Sequence, residues 1–460
     1  MGVIGCTLPR LPCTLLSASR QELLFIVTSG LSRVVGLPGA VLLGLGSILG
    51  TGVFVSIGIA ADLTGPSVVL AIAAAAFVAA CNALSSAQLA VSHPVSGGTY
   101  EYGYRYLLPP LGFSAGWLFL CAKSASAAAA ALGFSAYTLN ALGVTSNELR
   151  TPVAVLVVAG ITGLVLWGMK KSNRANSIVV SITILALIAF VIGGLPQLIS
   201  TGSENLRPFF PSDPGGAGAR AFLHATALMF VAYTGYGRVA TLGEEITDPR
   251  RNIPSAIILT LLVSLGIYVT VGLVGVGSVG AASFAAATAE AAAPLEVVAR
   301  RFGVKGLPEF IALGAVTAML GVLLNLILGL SRVVLAMARR GDMPAAFERL
   351  HAGSTTPRVA VLFTGIVVGA IVLIGDIRVA WTFSAFTVLF YYAVTNLAAL
   401  AMPANERLYP RSIAIAGLTA CLLLAVFVER SIWLVGLGVL GAGLTWHWVA
   451  QSKLHRRDVT

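Results

Sequence analysis

Charge is what this sequence has least of. Asp, Glu, Lys and Arg together make up 10% of its 460 residues, and only 18 of these are acidic. A soluble globule carries roughly 25%, so a water-facing surface around a chain of this length is excluded. Histidine and cysteine are as scarce, five of each. Cys6 and Cys13 lie near the start, and Cys81, Cys121 and Cys421 stand singly in apolar runs, without the spacing of a zinc site or a disulfide framework. No HExxH, paired carboxylate or nucleophile–base set occurs in the apolar runs, which leaves a membrane enzyme without its machinery. The rings of repeated polar residues that line a channel are missing too. No metal or cofactor is expected. The net charge of +11 has no basic domain to carry it, so nucleic acid is not expected as a partner either.

What the chain does have is hydrocarbon. Hydrophobic residues make up 57% of it, with a mean hydropathy of +0.91. Crossing a bilayer takes about 20 apolar residues. Twelve spans of that kind are expected, near 36–60, 66–92, 111–137, 151–168, 175–196, 221–241, 254–279, 307–338, 358–375, 379–402, 411–428 and 431–450. The fold class is therefore an all-α polytopic membrane protein of 12 transmembrane helices.

The cations fix an orientation. With the start of the chain inside, the inner segments hold Arg10, Arg20, Arg33, Arg105, Lys170, Lys171, Arg174, Arg250, Arg251, Arg339, Arg340, Arg349, Arg358, Arg407, Arg411, Lys453, Arg456 and Arg457. The outer segments hold the shorter set Arg150, Arg207, Arg220, Arg300, Arg301, Lys305, Arg378 and Arg430. The positive-inside bias puts both termini in the cytoplasm and the protein in the plasma membrane, with lipid around it.

Residues 1–34, broken by Pro9 and Pro12 and lacking the features of a secretory signal, are expected to be a cytoplasmic leader. The Pro- and Gly-rich stretch 200–220 then separates two sets of five spans, 35–199 and 221–403. Five is odd, so the second set must lie upside down relative to the first, which is the arithmetic of an inverted repeat. Spans 11 and 12, residues 404–450, and a cytoplasmic tail, 451–460, lie outside it.

Two spans are interrupted at matching places. GLGSILGTGVF, residues 44–54, crowds Gly44, Gly46, Gly50 and Gly52 into the middle of span 1. Each glycine costs a helix about 1 kcal/mol against Ala. In span 6, FVAYTGYGRVATLGEEI, residues 230–246, places Gly235, Gly237 and Arg238 beside Tyr233 and Tyr236. Interrupted helices at equivalent positions of two halves mark a transporter site at the midplane. Opened helix ends offer N–H groups to a carboxylate and carbonyls to an ammonium, which suits a zwitterion. A face of small residues for close helix packing is the alternative reading of the glycines.

Lys123 sits about twelve residues from either end of span 3, roughly 18 Å at helical rise. That is too far to snorkel, and a Lys at the centre of a span costs about 2.5–3.5 kcal/mol on insertion scales. It is therefore expected to face the interior, paired or functional. SHPVSGGTYEYGYRYL, residues 92–107, reads as a structured inner segment that serves as scaffold, and EEITDPRRNIP, residues 244–254, as a charged inner loop ending where Pro254 starts span 7. The stretch between spans 7 and 8, with Pro294, Arg300 and Arg301, is expected to form short helices acting as a lid.

GLGSILGTGVF at 44–54, LTGP at 63–66, GGTYEYGYR at 97–105, AYTGYGRVATLGEEITDPRRNIP at 232–254 and SRVVLAMARRGDMP at 331–344 together resemble the amino acid–polyamine–organocation family, nearest to its cationic-amino-acid-transporter-like permeases. The resemblance implies a five-plus-five fold with helices 1 and 6 unwound around the substrate. It implies that Ser47, Ile48, Leu49, Gly50, Thr51 and Gly52 meet the substrate carboxylate, and that Ala232, Tyr233, Thr234 and Gly235 take its ammonium and side chain.

The chain departs from that pattern at three places. Gly237 followed by Arg238 stands where cationic-type members often carry an acid, Thr183 stands where some proton-coupled members carry a Lys, and Gln88 replaces a frequent Glu. The expectation is a secondary active permease for neutral or small amino acids. Coupling would run through protons, with Lys123 and Thr183 as the candidate positions, or through sodium held by helix-1 carbonyls and helix-8 hydroxyls. An amino acid or polyamine exchanger, or a non-transporting sensor of the same fold, is the alternative.

Overall fold

The computed structural model describes residues 35–93, 97–144, 146–167, 173–210, 217–240, 246–349 and 357–457. The leader at 1–34, with Cys6 and Cys13, and the inner-loop acids Glu244 and Glu245 lie outside the described residues. Every element is helical apart from one isolated pairing, in which Val35 lies parallel to Ile246.

The chain opens with α1 (Leu37–Ile48), which carries a proline in its first turn, where the missing N–H costs nothing. After a break the helix resumes as a π turn, Gly52–Ser56, and α2 (Ile57–Thr64). Next come α3 (Val68–Ser92), the short α4 (Thr99–Tyr106), α5 (Pro109–Ala141), α6 (Arg150–Leu166) and α7 (Asn173–Asn205). The second half begins with α8 (Ala217–Tyr233), a 3-10 turn at Thr234–Tyr236, and α9 (Gly237–Ala240). It continues through α10 (Pro249–Val279), the short α11 (Ala281–Ala291) and α12 (Pro294–Arg301), and α13 (Leu307–Arg339). The last elements are α14 (Arg358–Val372), α15 (Ile377–Ala401), α16 (Arg411–Val426) and α17 (Arg430–Arg457).

Among the described residues eight helical stretches are long and apolar enough to cross a membrane, where twelve spans were expected. The first and sixth are broken into pieces, and α14 and α16 are short apolar helices. Two boundaries also shift. α7 continues to Asn205, so the connecting stretch begins later than residue 200. α10 starts at Pro249, which takes the first-turn place, and leaves Pro254 inside the helix. Residues 281–301 form the two short helices expected of a lid, and Gly280, at φ +81°, makes the turn into them.

Burial separates core from rim. The apolar stretch of α5 is 83% buried inside the molecule, against 22% for that of α17. α5 packs mainly against α15 and α13, and its run Ser124–Ala131 of Ser and Ala lets those backbones come close. α6, α7 and α17 turn Leu156, Ile178, Ile192 and Leu434 outward, the surface a lipid solvent requires.

The ends of α4, α13 and α17 are knotted around one buried acid. Asp342, in the turn after α13, is fully buried. One carboxylate oxygen accepts from Tyr100 at 2.7 Å and Tyr104 at 2.6 Å. The other lies 3.0 Å from His447 Nδ1 and accepts from Gln451 at 3.3 Å, while Trp446 donates to the Asp342 carbonyl at 2.9 Å. Arg340 pairs with Glu101 and lies over the Tyr104 ring. The described part of the 92–107 segment thus acts as scaffold through α4, and α17 is what clamps it.

Candidate functional site

The two interruptions meet in the middle of the molecule and differ in kind. In the first, Leu49 leaves the helix in an extended conformation (φ −75°, ψ 103°) after its N–H closes on the Leu45 carbonyl at 2.8 Å. The helix restarts when Val53 and Phe54 both donate to the Gly50 carbonyl at 3.1 Å. The N–H groups of Thr51 and Gly52 thus head a new helix, where no intrahelical acceptor exists and the dipole is positive. In the second interruption the helix tightens into a 3-10 turn at Thr234–Tyr236, with Tyr233 and Gly237 still in helical conformation. Full unwinding was expected there. The change in bonding step and the Thr234 hydroxyl, which donates to the Val231 carbonyl at 2.8 Å, take the place of an open stretch.

The glycines serve contact as well as opening. A Cβ on Gly235 would lie 2.3 Å from the Ser47 carbonyl oxygen, and one on Gly52 would lie 2.7 Å from Ala232 Cβ. Gly44 and Gly46 abut Thr260 and Asn176 in the same way. The packing reading and the opened-helix reading therefore both hold for span 1.

A cavity of about 400 Å³ lies between the breaks, within the usual range of small-ligand sites. Of the residues expected at the site, Ser47, Ile48, Gly50, Thr51, Gly52, Ala232, Thr234 and Gly235 line it. Leu49 and Tyr233 do not. The extended turn at Leu49 sends its side chain into the protein (2% exposed), and the buried Tyr233 ring packs against Tyr268 with centroids 5.0 Å apart. The Thr51 hydroxyl is buried without a hydrogen-bond partner.

Lys123 reaches this cavity from α5 and is 8% exposed. Its Nζ donates to Thr234 Oγ1 at 2.8 Å, so the partner that its depth in the span required is the second interruption itself. Thr183 is placed elsewhere. It lies on α7, outside the cavity wall, with its hydroxyl turned back onto the Val179 carbonyl at 2.9 Å. Gln88 accepts from the Tyr409 backbone at 3.3 Å and holds α3 to the approach of α16. Of the span-8 polar groups, Asn325 lines the cavity, while Ser331 does not and bonds Leu328 within its own helix.

Three tyrosines and a tryptophan brace the two interruptions and escaped sequence reasoning; Tyr392 and Trp381 line the cavity, while Tyr268 and Tyr137 lie outside its wall. Tyr268 of α10 lies 2.8 Å from the Ile48 carbonyl and 3.2 Å from that of Ala232. Tyr137 of α5 donates to the Phe54 carbonyl at 2.7 Å and accepts from the Leu295 N–H at 3.3 Å, fastening α12 over the restarted helix. Tyr392 reaches the Thr234 carbonyl at 3.4 Å, and Trp381 donates to that of Leu228 at 3.0 Å. The signal that could have found them is the rule that a buried Tyr or Trp needs a partner for its polar tip. In aliphatic spans with few other hydrogen-bonding groups, that partner is most readily a freed backbone carbonyl.

The described wall of the cavity is basic and reaches one end of the molecule. Its wall extends to Arg339 and Pro357 and includes nothing from α11 or α12. The described lining residues include Lys123, Arg238, Arg332 and Arg339 and no carboxylate. At the opposite end α12 buries Glu296, whose carboxylate lies 2.6 Å from Arg300. Burial pushes that carboxyl above the usual range, with Asn140 and Arg300 opposing the shift.

Comparison with known proteins agrees with this architecture. Residues 39–444 match the amino acid permease family. An uncharacterised transporter of Mycobacterium tuberculosis is 39% identical over 430 residues, 94% of each chain. The branched-chain amino acid permease BcaP of Bacillus subtilis is 32% identical over 363 residues, 74% of this chain and 75% of that one. A chloroplastic cationic amino acid transporter of Arabidopsis thaliana is 28% identical over 375 residues, 77% of this chain and 63% of that one. The fold and site define a multi-pass membrane transporter. The chain belongs to the amino acid permease family.

Proposed function

We propose that this protein is a secondary active transporter that carries neutral or small amino acids across the plasma membrane by alternating access. The reading includes a five-plus-five inverted arrangement of helices followed by two more, with both termini in the cytoplasm. The observation that carries it is the cavity walled by both interruptions. The N–H groups heading the restarted helix at Thr51 and Gly52 suit a carboxylate, and the carbonyls ending α1 and α8 suit an ammonium. With the positive-inside assignment the cavity faces the cytoplasm, and the lid at α11 and α12 closes the outer side.

The basic wall supports substrates without a second positive charge. At about 4 Å and an effective dielectric of about 20, two like charges repel by about 4 kcal/mol. Coupling to protons through Lys123 is part of the same reading. An ammonium bonded to Thr234 transmits any change in its own charge directly to the turn that binds substrate. Sodium is the second choice as coupling ion.

The test is uptake of labelled leucine and alanine into proteoliposomes holding the purified protein, with an imposed pH gradient and no sodium. Accumulation that follows the gradient is expected. Binding of either amino acid without any uptake would identify a sensor in place of a transporter.

A further inference from the structure

Tyr268 is wholly buried in α10, and its hydroxyl lies 2.8 Å from the Ile48 carbonyl and 3.2 Å from the Ala232 carbonyl. Ile48 is the last residue of α1 before the first interruption, and Ala232 is the last but one of α8 before the second. Both carbonyls therefore stand at C-terminal helix ends, the negative poles of their helices. Like poles brought together repel, and these are close enough for one hydroxyl to reach both, at 2.8 and 3.2 Å. A phenol has one proton to give. Set between two carbonyls, it supplies the positive partner that the juxtaposition needs without a net charge. The ring is held in place by Tyr233, with centroids 5.0 Å apart.

We propose that Tyr268 is a positioning residue of the substrate site, whose hydroxyl, shared between the Ile48 and Ala232 carbonyls, fixes the spacing of the two interrupted helices and makes them one binding unit. Each carbonyl keeps a second lone pair, and it is this remaining capacity that receives the substrate ammonium. The ammonium rests on the amino-acid reading above. The bridge between the helices does not. Losing the hydroxyl leaves two buried acceptors facing each other, so both interruptions loosen together and the substrate meets carbonyls that are no longer spaced for it.

The experiment compares the wild type, Tyr268→Phe and a protein with 4-aminophenylalanine at 268, which keeps a donor at the same place. A Tyr137→Phe variant serves as control, since it also loses a hydroxyl bonded to helix 1 but outside the cavity. The first readout needs no substrate. Hydrogen exchange by mass spectrometry should show residues 47–54 and 230–237 exchanging at least several-fold faster in Tyr268→Phe, and near the wild-type rate with the amino analogue. Equal exchange in wild type and Tyr268→Phe, or acceleration of only one segment, would overturn the bridge. The second readout is leucine and alanine uptake. KM should rise about ten-fold in Tyr268→Phe with maximal rate held within about two-fold, and recover with the analogue. A fall in maximal rate at unchanged KM would overturn the positioning role. If the wild type takes up neither amino acid, the amino-acid reading falls, and the exchange result alone decides whether the bridge exists.

Discussion

The ammonium of Lys123 lies 2.8 Å from the hydroxyl of Thr234, and this contact joins α5, the most buried of the eight long apolar stretches among the described residues, to the 3-10 turn at Thr234–Tyr236. Thr234 passes the link on, donating to the Val231 carbonyl at 2.8 Å. A cation whose cost at the midplane is about 2.5–3.5 kcal/mol is thereby placed where its state and the site's geometry depend on each other.

Lys123→Met keeps side-chain length and removes both the charge and the donor. A hydrogen bond to a charged group contributes about 1.5–3 kcal/mol, so affinity for the transported amino acid should fall about ten-fold or more. Uptake should also stop responding to an imposed pH gradient. A variant that follows the gradient as the wild type does would remove Lys123 from coupling.

Gly50→Leu should abolish binding while the protein still inserts. A Cβ at residue 50 already lies 2.8 Å from Val322 Cγ2, and the remaining leucine atoms must enter the cavity that both residues line. Thermal stabilisation by leucine or alanine, expected in wild type, should vanish. Unchanged stabilisation would show that ligand sits elsewhere.

Arginine should compete with labelled leucine at least about ten-fold less well than alanine does. The cause is charge, as Lys123, Arg332 and Arg339 stand in the described wall of the cavity. High salt should reduce the part of the difference that comes from the exposed Arg332 and Arg339 and leave the part that comes from the buried Lys123. Equal competition would end the neutral-substrate reading.

The short helices α11 and α12 should dock more tightly as pH falls. Glu296 is fully buried and faces Arg300 on its own helix, Asn140 and Tyr137 on α5 and Glu309 on α13. Burial raises its carboxyl above the ordinary range. A raised carboxyl stabilises the docked state fully below the ordinary glutamate value, and that contribution is lost as pH rises through the raised value. Exchange protection of residues 294–301, corrected for intrinsic rate, should therefore climb on acidification in wild type and stay flat in Glu296→Gln. Matching profiles would show that another group governs docking.

Asp342→Ala should destabilise the protein by about 3 kcal/mol or more, because it leaves the buried Tyr100 and His447 and the half-buried Tyr104 without their acceptor, each buried group left unpaired costing about 1–3 kcal/mol. Substrate affinity should change little, as Asp342 does not line the cavity. The checks are the melting temperature, which should drop, and leucine affinity measured below it.

The sequence by itself determined the solvent and the class, and it marked the two stretches that wall the cavity. Scarcity of charge with long apolar runs admits only helices in a bilayer, because backbone groups in hydrocarbon must be satisfied within their own segment. Glycines clustered twice in spans of matching order marked both interruptions, and eight of the ten residues expected at the substrate site line the cavity. Leu49 and Tyr233 do not, because which side chains face inward depends on the rotation of the chain through each break. Tertiary structure alone decided that Lys123 meets Thr234, that Thr183 stands apart, and that Tyr268 reaches Ile48 from 220 positions away. It alone also decided that Asp342 binds the last helix to α4. In spans apolar on every face, hydrophobic periodicity does not say which side turns inward. The partner of a lone hydroxyl, ammonium or carboxylate is then fixed only when distant helices pack.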